Sequence, residues 1–133
     1  ASMRLCANVP TQYTIAAALA DDSVIRGMIA PGGRLYEQKE LIHRKMSAID
    51  GVSCVKPKGS LYMFPRIDLS RFNIEDDVAF TYDLLTEKKV LVVAGTGFNF
   101  VDKEHFRIVF LPDYATLSDA ADRIAEFLDS RRK

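Results

Sequence analysis

Arg107 is the residue whose type and surroundings point most directly to chemistry. It lies in the apolar run 105–111, which has the length and composition of a β-strand. A guanidinium stays charged at any usable pH, and burying it without a partner would cost several kcal/mol. An internal salt bridge, an exposed edge strand or a bound ligand carboxylate would each satisfy it. In the last case the planar guanidinium would donate two parallel hydrogen bonds. The sequence leaves all three arrangements open.

Two glycine-containing segments are candidates to lie beside this arginine. The segment GTGFN at 95–99 follows the apolar run 90–94. Its glycines are typical of a turn with positive φ, or of a loop whose small residues let the backbone approach a ligand. A hairpin would bring this loop and Arg107 to one end of a sheet. The candidate site residues in the loop are Gly95, Thr96, Phe98 and Asn99. The segment KGSLY at 58–62 allows the same two interpretations, with Tyr62 either in the core or on the ligand side.

The other polar residues form no self-contained catalytic set. His43 belongs to a helical pattern, and His105 at a strand start lacks partner spacing for a metal or a triad. The motifs HExxH, CxxC and GxSxG are absent. We attribute Asp76 and Asp77 to the favourable interaction of acidic side chains with the positive end of a helix dipole. Asn73 is the expected cap of that helix.

The periodicity of apolar residues predicts alternating helices and strands. Helices are expected over 10–20, 23–29, from about 35 to 51, from 73 to about 89, and from the capping pair Thr116 and Asp119 to about 128. Strands are expected over 52–55, 61–67, 90–94 and 105–111, with 61–67 and 90–94 buried on both faces. Pro65 weakens the second strand, since proline cannot donate to a ladder. This order predicts a two-layer α/β sandwich with a small mixed sheet.

The composition excludes several classes of function. The 133 residues include 18 Lys+Arg and 18 Asp+Glu, so the chain lacks the basic surplus of a nucleic-acid groove. No stretch of about 18 apolar residues exists, and we expect no membrane partner. Cys6 and Cys54 are far apart and without a partner motif, which favours a reducing cytoplasm. The opening Ala-Ser-Met-Arg is expected to be a cut end.

Six collinear segments carry a resemblance to a known family. They are LCANVP at 5–10, PGGRLYEQ at 31–38, GVSCVKP at 51–57, GSLYMFP at 59–65, GTGFN at 95–99 and RIVFLP at 107–112. Together they resemble the C-terminal part of a class I/II aminotransferase, an enzyme of fold type I that uses pyridoxal phosphate. The likeness is strongest to bacterial alanine (glutamate–pyruvate) transaminases.

The resemblance implies roles for particular residues. Arg107 would bind the substrate α-carboxylate, in agreement with the charge argument. Asn8 would lie near the interface of a homodimer and the neighbouring subunit's site. The segments 59–62 and 95–99 would face the substrate, with Phe98 as a wall of its site. The segment 100–104 departs from the family, whose members tend to carry prolines there.

The resemblance also implies that part of the catalytic machinery is missing from this chain. The family's Schiff-base lysine lies in a Ser-Lys-x-x-Arg context, which none of the eight lysines here has. The lysine and the cofactor-binding residues would precede Ala1. Residues 1–30 would then be the end of the large domain with a connecting helix, and 31–133 the small domain. This chain alone would be inactive.

The expected parent protein is a cytoplasmic enzyme that moves an amino group between alanine and 2-oxoglutarate. Arg4 and Arg34 are candidates for a second cation that binds the distal carboxylate of 2-oxoglutarate. Two alternatives stay open: another fold-type I enzyme that acts on amino acids, such as a lyase, and a non-enzymatic ligand-binding or dimerisation module. In the second of these, Arg107 would belong to an internal ion pair.

Overall fold

The computed structural model describes residues 7–133, which form five α-helices and five short strands. The helices are α1 (Val9–Ala20), α2 (Ser23–Ile29), α3 (Arg34–Ser47), α4 (Asp77–Asp83) and α5 (Tyr114–Ser130). The strands are β1 (Val52–Ser53), β2 (Tyr62–Met63), β3 (Arg66–Ile67), β4 (Val93–Ala94) and β5 (Phe106–Val109). Single-turn helices add Leu69–Arg71 and Gly95–Phe98, and a π-turn over Leu84–Lys88 extends α4. The predicted α/β fold class is confirmed.

The strands form two small sheets. One sheet has the order β2-β5-β4, and β1 pairs with β3 in the other. All strand pairs within 7–133 are antiparallel, so the predicted mixed sheet is wrong in this detail. The expected hairpin between 90–94 and 105–111 is present as the pair β4–β5, and the predicted strands 52–55 and 61–67 pair through β1 and β3. Both pairings are shorter than the apolar runs suggested. Strand β5 occupies the centre of the three-stranded sheet, which excludes an edge position for Arg107.

The segment 61–67 is two strands rather than one. Tyr62 and Met63 pair with β5, whereas Arg66 and Ile67 pair with β1. Pro65 lies at the break, where it needs no donor and its carbonyl accepts the Phe106 amide at 3.1 Å. The chain therefore passes from one sheet to the other at this proline.

The apolar run 90–94 also differs from the prediction. Val90 and Val92 are buried, but Leu91 is 76% exposed and Val93 is exposed as well. Exposure alternates because successive side chains of an extended segment point to opposite sides. The run is thus covered on one face only, and only Val93 and Ala94 join the sheet.

The core lies between the sheets and the helices α3, α4 and α5. The apolar periodicity of α5 predicts one buried face, and Leu117, Ala121, Ile124, Phe127 and Leu128 are buried, with Ala120 half-buried against the core. From the strands, Met63, Ile67, Phe106 and Ile108 enter the same core. Phe80 of α4 contacts both Phe106 and Phe127, with ring centroids 4.8 and 5.8 Å apart. This packing fixes α4 and β5 relative to each other.

Two predicted helix caps are replaced by other residues. Asp76, not Asn73, caps α4 by accepting the Ala79 amide at 2.8 Å. Asp113 caps α5 by accepting the Thr116 amide at 3.0 Å, while Asp119 pairs with Arg123 inside the helix. In each case the true cap lies directly before the first helical residue, as the hydrogen-bond geometry of a cap demands.

Helices α1 and α2 bury none of their residues. Apolar side chains are nevertheless frequent on them, and Tyr13, Leu19 and Val24 are among those exposed. The structure thus presents two helices whose apolar surface is not covered by residues 7–133. No helix in this range combines the length and the apolar character needed to cross a membrane.

Cys54 is the one free cysteine in the described range, and Cys6 lies outside it. Burial raises the pKa of the Cys54 thiol from 9.0 to about 11. Because the thiolate is the nucleophile, we expect iodoacetamide to label Cys54 slowly at about pH 8, and labelling to accelerate as the pH approaches 11. Mass spectrometry of the peptide carrying Cys54 measures this rate, with urea-unfolded protein as the control. Equal labelling of folded and unfolded protein at pH 8 would contradict the expectation.

Candidate active site

The candidate site is the outer face of the three-stranded sheet. Directly opposed residues of antiparallel strands point to the same side, and here Tyr62 opposes Val109 while Arg107 opposes Val93. The other face carries Met63, Phe106 and Ile108, which are buried in the core. The sequence 106–109 therefore alternates between core and outer face, and this alternation delivers Arg107 to the outer face.

Arg107 lies between two aromatic rings. Its guanidinium carbon is 4.5 Å from the centroid of Tyr62 and 4.2 Å from that of Phe98. Tyr62 comes from strand β2 and Phe98 from the turn after β4, so the two neighbours of β5 each contribute one wall. Both rings attract a cation electrostatically and restrict its side chain. Tyr62 is 44% exposed, which places it beside Arg107 rather than in the core.

The guanidinium of Arg107 has no anionic partner in residues 7–133. No carboxylate of this range lies within 4.0 Å of it, and its Nε atom is buried without a hydrogen-bond partner. The predicted alternative of an internal ion pair is therefore not found in the described chain. A cavity of about 260 Å³ also touches Arg107, but core residues such as Ile42 and Leu117 line most of it, and neither Tyr62 nor Phe98 does. The site thus combines a half-buried cation, a buried donor atom without a partner and two aromatic walls.

The turn that carries Phe98 owes its shape to close packing at Gly95. The Gly95 amide donates to the His105 carbonyl at 2.8 Å. A Cβ atom at Gly95 would lie 2.9 Å from that carbonyl oxygen and 3.1 Å from Cζ of Phe64. Positive φ occurs in this turn at Asn99, where φ is 59°, and at neither glycine. Of the two interpretations of this segment, the one in which its glycines supply positive φ is therefore wrong. Close approach of two backbone segments explains Gly95 instead.

Asp77 binds Thr96, the next residue of the turn. The sequence did not lead us to predict this role. Its carboxylate accepts the Thr96 amide at 2.7 Å and the Thr96 hydroxyl at 3.2 Å. Only 1% of Asp77 is exposed. The attribution of Asp77 to the helix dipole alone is thus wrong. Asp77 precedes the buried Phe80 and Leu84 by three and seven residues, and residues at this spacing lie on the same face of a helix. This spacing was the sequence signal that placed Asp77 on the inner face.

The structure does not bring every predicted residue to Arg107. Asn8 precedes α1, is exposed, and joins Arg107 through no hydrogen bond in the described chain. Asn99 ends the turn by donating its amide to the Thr96 carbonyl at 3.0 Å. Arg34 donates to the Leu111 carbonyl at 2.7 Å, and Arg4 lies outside the described residues. The site as observed therefore consists of Arg107, Tyr62, Phe98 and the Gly95–Thr96 backbone that supports it.

The lysines do not fit the site of a covalently held pyridoxal phosphate. All eight fall within the described range, and none of them is buried. Lys45, Lys56 and Lys88 are bound to carboxylates at the surface. An enclosed amine that could meet the cofactor's carbonyl is therefore not found in residues 7–133. The same residues contain no cluster of metal-ligating side chains.

Comparison with known proteins identifies the family. The model of "Aminotransferase class I and II" matches residues 1–124. The chain is 52% identical over 128 residues to glutamate-pyruvate aminotransferase AlaA of Escherichia coli K12. The aligned region covers 96% of this chain and 32% of that protein. It is 47% identical over all 133 residues to alanine aminotransferase of Mycobacterium bovis, covering 31% of that protein. The chain thus spans about a third of the length of these relatives.

Solved structures agree with this assignment. An aminotransferase from Escherichia coli superposes with a TM-score of 0.91 at 49% identity, covering 99% of this chain and 33% of the other. Alanine aminotransferase from Pyrococcus furiosus gives a TM-score of 0.79 at 32% identity, covering 98% and 32%. These neighbours extend the agreement from sequence to fold. The chain belongs to the aminotransferase class I and II family.

Proposed function

We propose that this chain is the substrate-carboxylate-binding part of a pyridoxal-phosphate-dependent aminotransferase. The protein that contains it would exchange an amino group between L-alanine and 2-oxoglutarate. The observation that carries the proposal is the half-buried Arg107, held between Tyr62 and Phe98 with an unpartnered Nε atom. The names of its relatives, glutamate-pyruvate and alanine aminotransferases, support the choice of substrates.

The proposed role of Arg107 is to bind and orient the carboxylate shared by amino acids and 2-oxo acids. The planar guanidinium donates two parallel hydrogen bonds to the two carboxylate oxygens, which fixes both position and orientation. The rings of Tyr62 and Phe98 limit the rotamers of Arg107 and displace water from it. A lower local polarity strengthens the attraction between the two charges. Binding in one orientation lowers the entropic cost of the reaction that follows.

Pyridoxal phosphate, on which this family depends, serves as an electron sink for the substrate when bound. The lysines of this chain are exposed or half-buried, and none is enclosed as an amine that binds the cofactor would be. We propose that the remainder of the parent protein supplies the cofactor site and that this chain alone has no transaminase activity. Its own contribution is to bind and orient the substrate.

We further propose a domain division at about residue 30. Residues 1–30 would belong with the large domain and a connecting helix, and 31–133 would form the small domain. The division is supported by α1 and α2, which bury no residue within the described chain, whereas α3 contributes Leu41, Ile42 and Met46 to the core. The exposed Asn8 and the apolar side chains of α1 would then lie against the large domain or the second subunit of a cytoplasmic homodimer.

Amino-group exchange by the intact protein tests this function. With pyridoxal phosphate and 2-oxoglutarate, we expect kcat/KM for alanine to exceed that for aspartate or tyrosine by about tenfold or more, as one differing side chain permits. Residues 1–133 alone, assayed in parallel, should show no turnover. A protein that exchanges no amino group with any of these donors would contradict the proposal. Turnover by residues 1–133 alone would contradict the claim that they lack the catalytic lysine.

A further inference from the structure

We propose that Asp77 is a positioning residue for the carboxylate site. It fixes the turn Gly95–Phe98 so that the Phe98 ring stays against Arg107. The inference rests on the proposed function, because it assigns Asp77 to the same arginine. Asp77 does not contact Arg107, and it acts through Thr96 and the turn.

The bonds of Asp77 are suited to holding a turn. One carboxylate oxygen accepts the Thr96 amide at 2.7 Å, and the other accepts the Thr96 hydroxyl at 3.2 Å. In the described chain no cationic side chain lies within 4.0 Å of this carboxylate. Both oxygens of a buried carboxyl group are thus committed to one residue of the turn. A buried donor or acceptor that loses its partner is costly, so these two bonds favour one position of the turn.

Asp77 is itself held in place by its backbone and by the helix that it begins. Its backbone amide donates to the Lys103 carbonyl at 2.8 Å. The helix that it begins is anchored in the core by Phe80 and Leu84, both fully buried. Asp77 therefore links Thr96 to the core, in addition to the covalent links that Thr96 has with its neighbours in the chain.

Phe98 depends on this anchoring because it has little packing of its own. Its side chain is 45% exposed, and the Arg107 guanidinium lies against its ring. The turn that carries Phe98 is tied to the rest of the molecule through two neighbouring residues, Gly95 by the His105 carbonyl and Thr96 by Asp77. Release of the second tie would let Phe98 leave Arg107, and the guanidinium would lose one of its two walls. The expected consequence is weaker binding of the substrate carboxylate.

The test compares variants of the intact protein. Asp77→Ala should raise KM for alanine and for 2-oxoglutarate about tenfold and change kcat by less than about threefold, since it weakens ground-state and transition-state binding alike. Asp77→Asn keeps the shape and one acceptor, and should restore most of the loss. Thr96→Val removes only the hydroxyl bond and should raise KM about threefold. Hydrogen exchange of the 95–99 segment should be faster in Asp77→Ala than in the wild type.

Asp76→Ala is the matched control. Asp76 lies next in the chain and caps the same helix through Ala79, with no bond to Thr96. Its loss should lower the thermal midpoint and leave both KM values unchanged. Unchanged KM in folded Asp77→Ala, or equal KM effects of Asp76→Ala and Asp77→Ala, would overturn the inference. If Asp77→Ala does not fold, the variants Asp77→Asn and Thr96→Val provide the test. The inference would be overturned if both variants had wild-type KM values and both showed unchanged hydrogen exchange of the 95–99 segment.

The same assay separates this inference from the proposed function. If Arg107→Lys raises KM but Asp77→Ala does not, Asp77 has no positioning role and the proposed function stands. If Arg107→Lys leaves KM and kcat unchanged, the proposed function itself fails.

Discussion

Arg107→Lys in the intact protein should lower kcat/KM for alanine and 2-oxoglutarate about a hundredfold, because an ammonium cannot donate two parallel hydrogen bonds to one carboxylate. The loss has a second component in this structure. The Arg107 guanidinium contacts both Tyr62 and Phe98, with its carbon 4.5 and 4.2 Å from the two ring centroids. A lysine would fill this space less well and leave more room for water. Steady-state kinetics with both substrates measures the effect.

Arg66→Lys is the control for the arginine substitution. Arg66 lies on β3, is about half exposed, and forms surface ion pairs with Glu104 and Asp102. Surface pairs of this kind contribute little, so kcat/KM should change less than about twofold. Equal effects of the two substitutions would show that the loss reflects a general need for arginine on these strands. Unchanged kinetics in Arg107→Lys would remove the carboxylate-binding role assigned to it.

Gly95→Ala should destabilise the protein by about 1–3 kcal/mol, the usual cost of inserting a methyl group where no space exists. The added Cβ would meet the His105 carbonyl oxygen at 2.9 Å and the Phe64 ring at 3.1 Å. The first contact is with backbone, which cannot move without disturbing the hydrogen bond that the Gly95 amide donates to the same oxygen. We therefore expect a lower thermal midpoint for the intact protein and, since the turn carries Phe98, a higher KM.

Gly97→Ala offers a comparison within the same turn. A Cβ at Gly97 would lie no closer than 3.8 Å to its nearest neighbour, Cγ1 of Val93, and the backbone there has no positive φ. Alanine should therefore be tolerated or stabilise by about 0.5 kcal/mol, because it reduces the freedom of the unfolded chain. A larger loss in Gly97→Ala than in Gly95→Ala would contradict the explanation of this turn by close packing.

Much of the fold was predictable because apolar periodicity reflects burial. The stripe of α5 from Leu117 to Leu128 is buried as predicted. The pattern 90–94 gave a wrong prediction. Five consecutive apolar residues predict a strand that is buried on both faces, whereas Leu91 and Val93 are exposed in residues 7–133. Composition cannot distinguish an apolar side chain in the core from one on an uncovered face. Pro65 indicates a weak point in the strand 61–67, but only the register shows that the chain changes sheets there.

The site was predictable to the extent that charge alone constrains it. Arg107 stood out because a guanidinium in an apolar strand needs a partner, and the candidates Tyr62 and Phe98 proved to be its neighbours. Asp77 was missed because a carboxylate at a helix start already has a local explanation in the dipole. Its bonds to Thr96 join residues far apart in the chain, and local rules say nothing about such pairs. The three-and-seven spacing to buried residues was the only available hint.

A crystal structure of the intact protein with a bound substrate carboxylate tests the central claim most directly. The two oxygens of the α-carboxylate should each accept a hydrogen bond from the Arg107 guanidinium, at about 2.7–2.9 Å. Tyr62 and Phe98 should remain against the two sides of that guanidinium. A carboxylate bound elsewhere, with Arg107 paired to an aspartate or glutamate of the protein, would contradict the account.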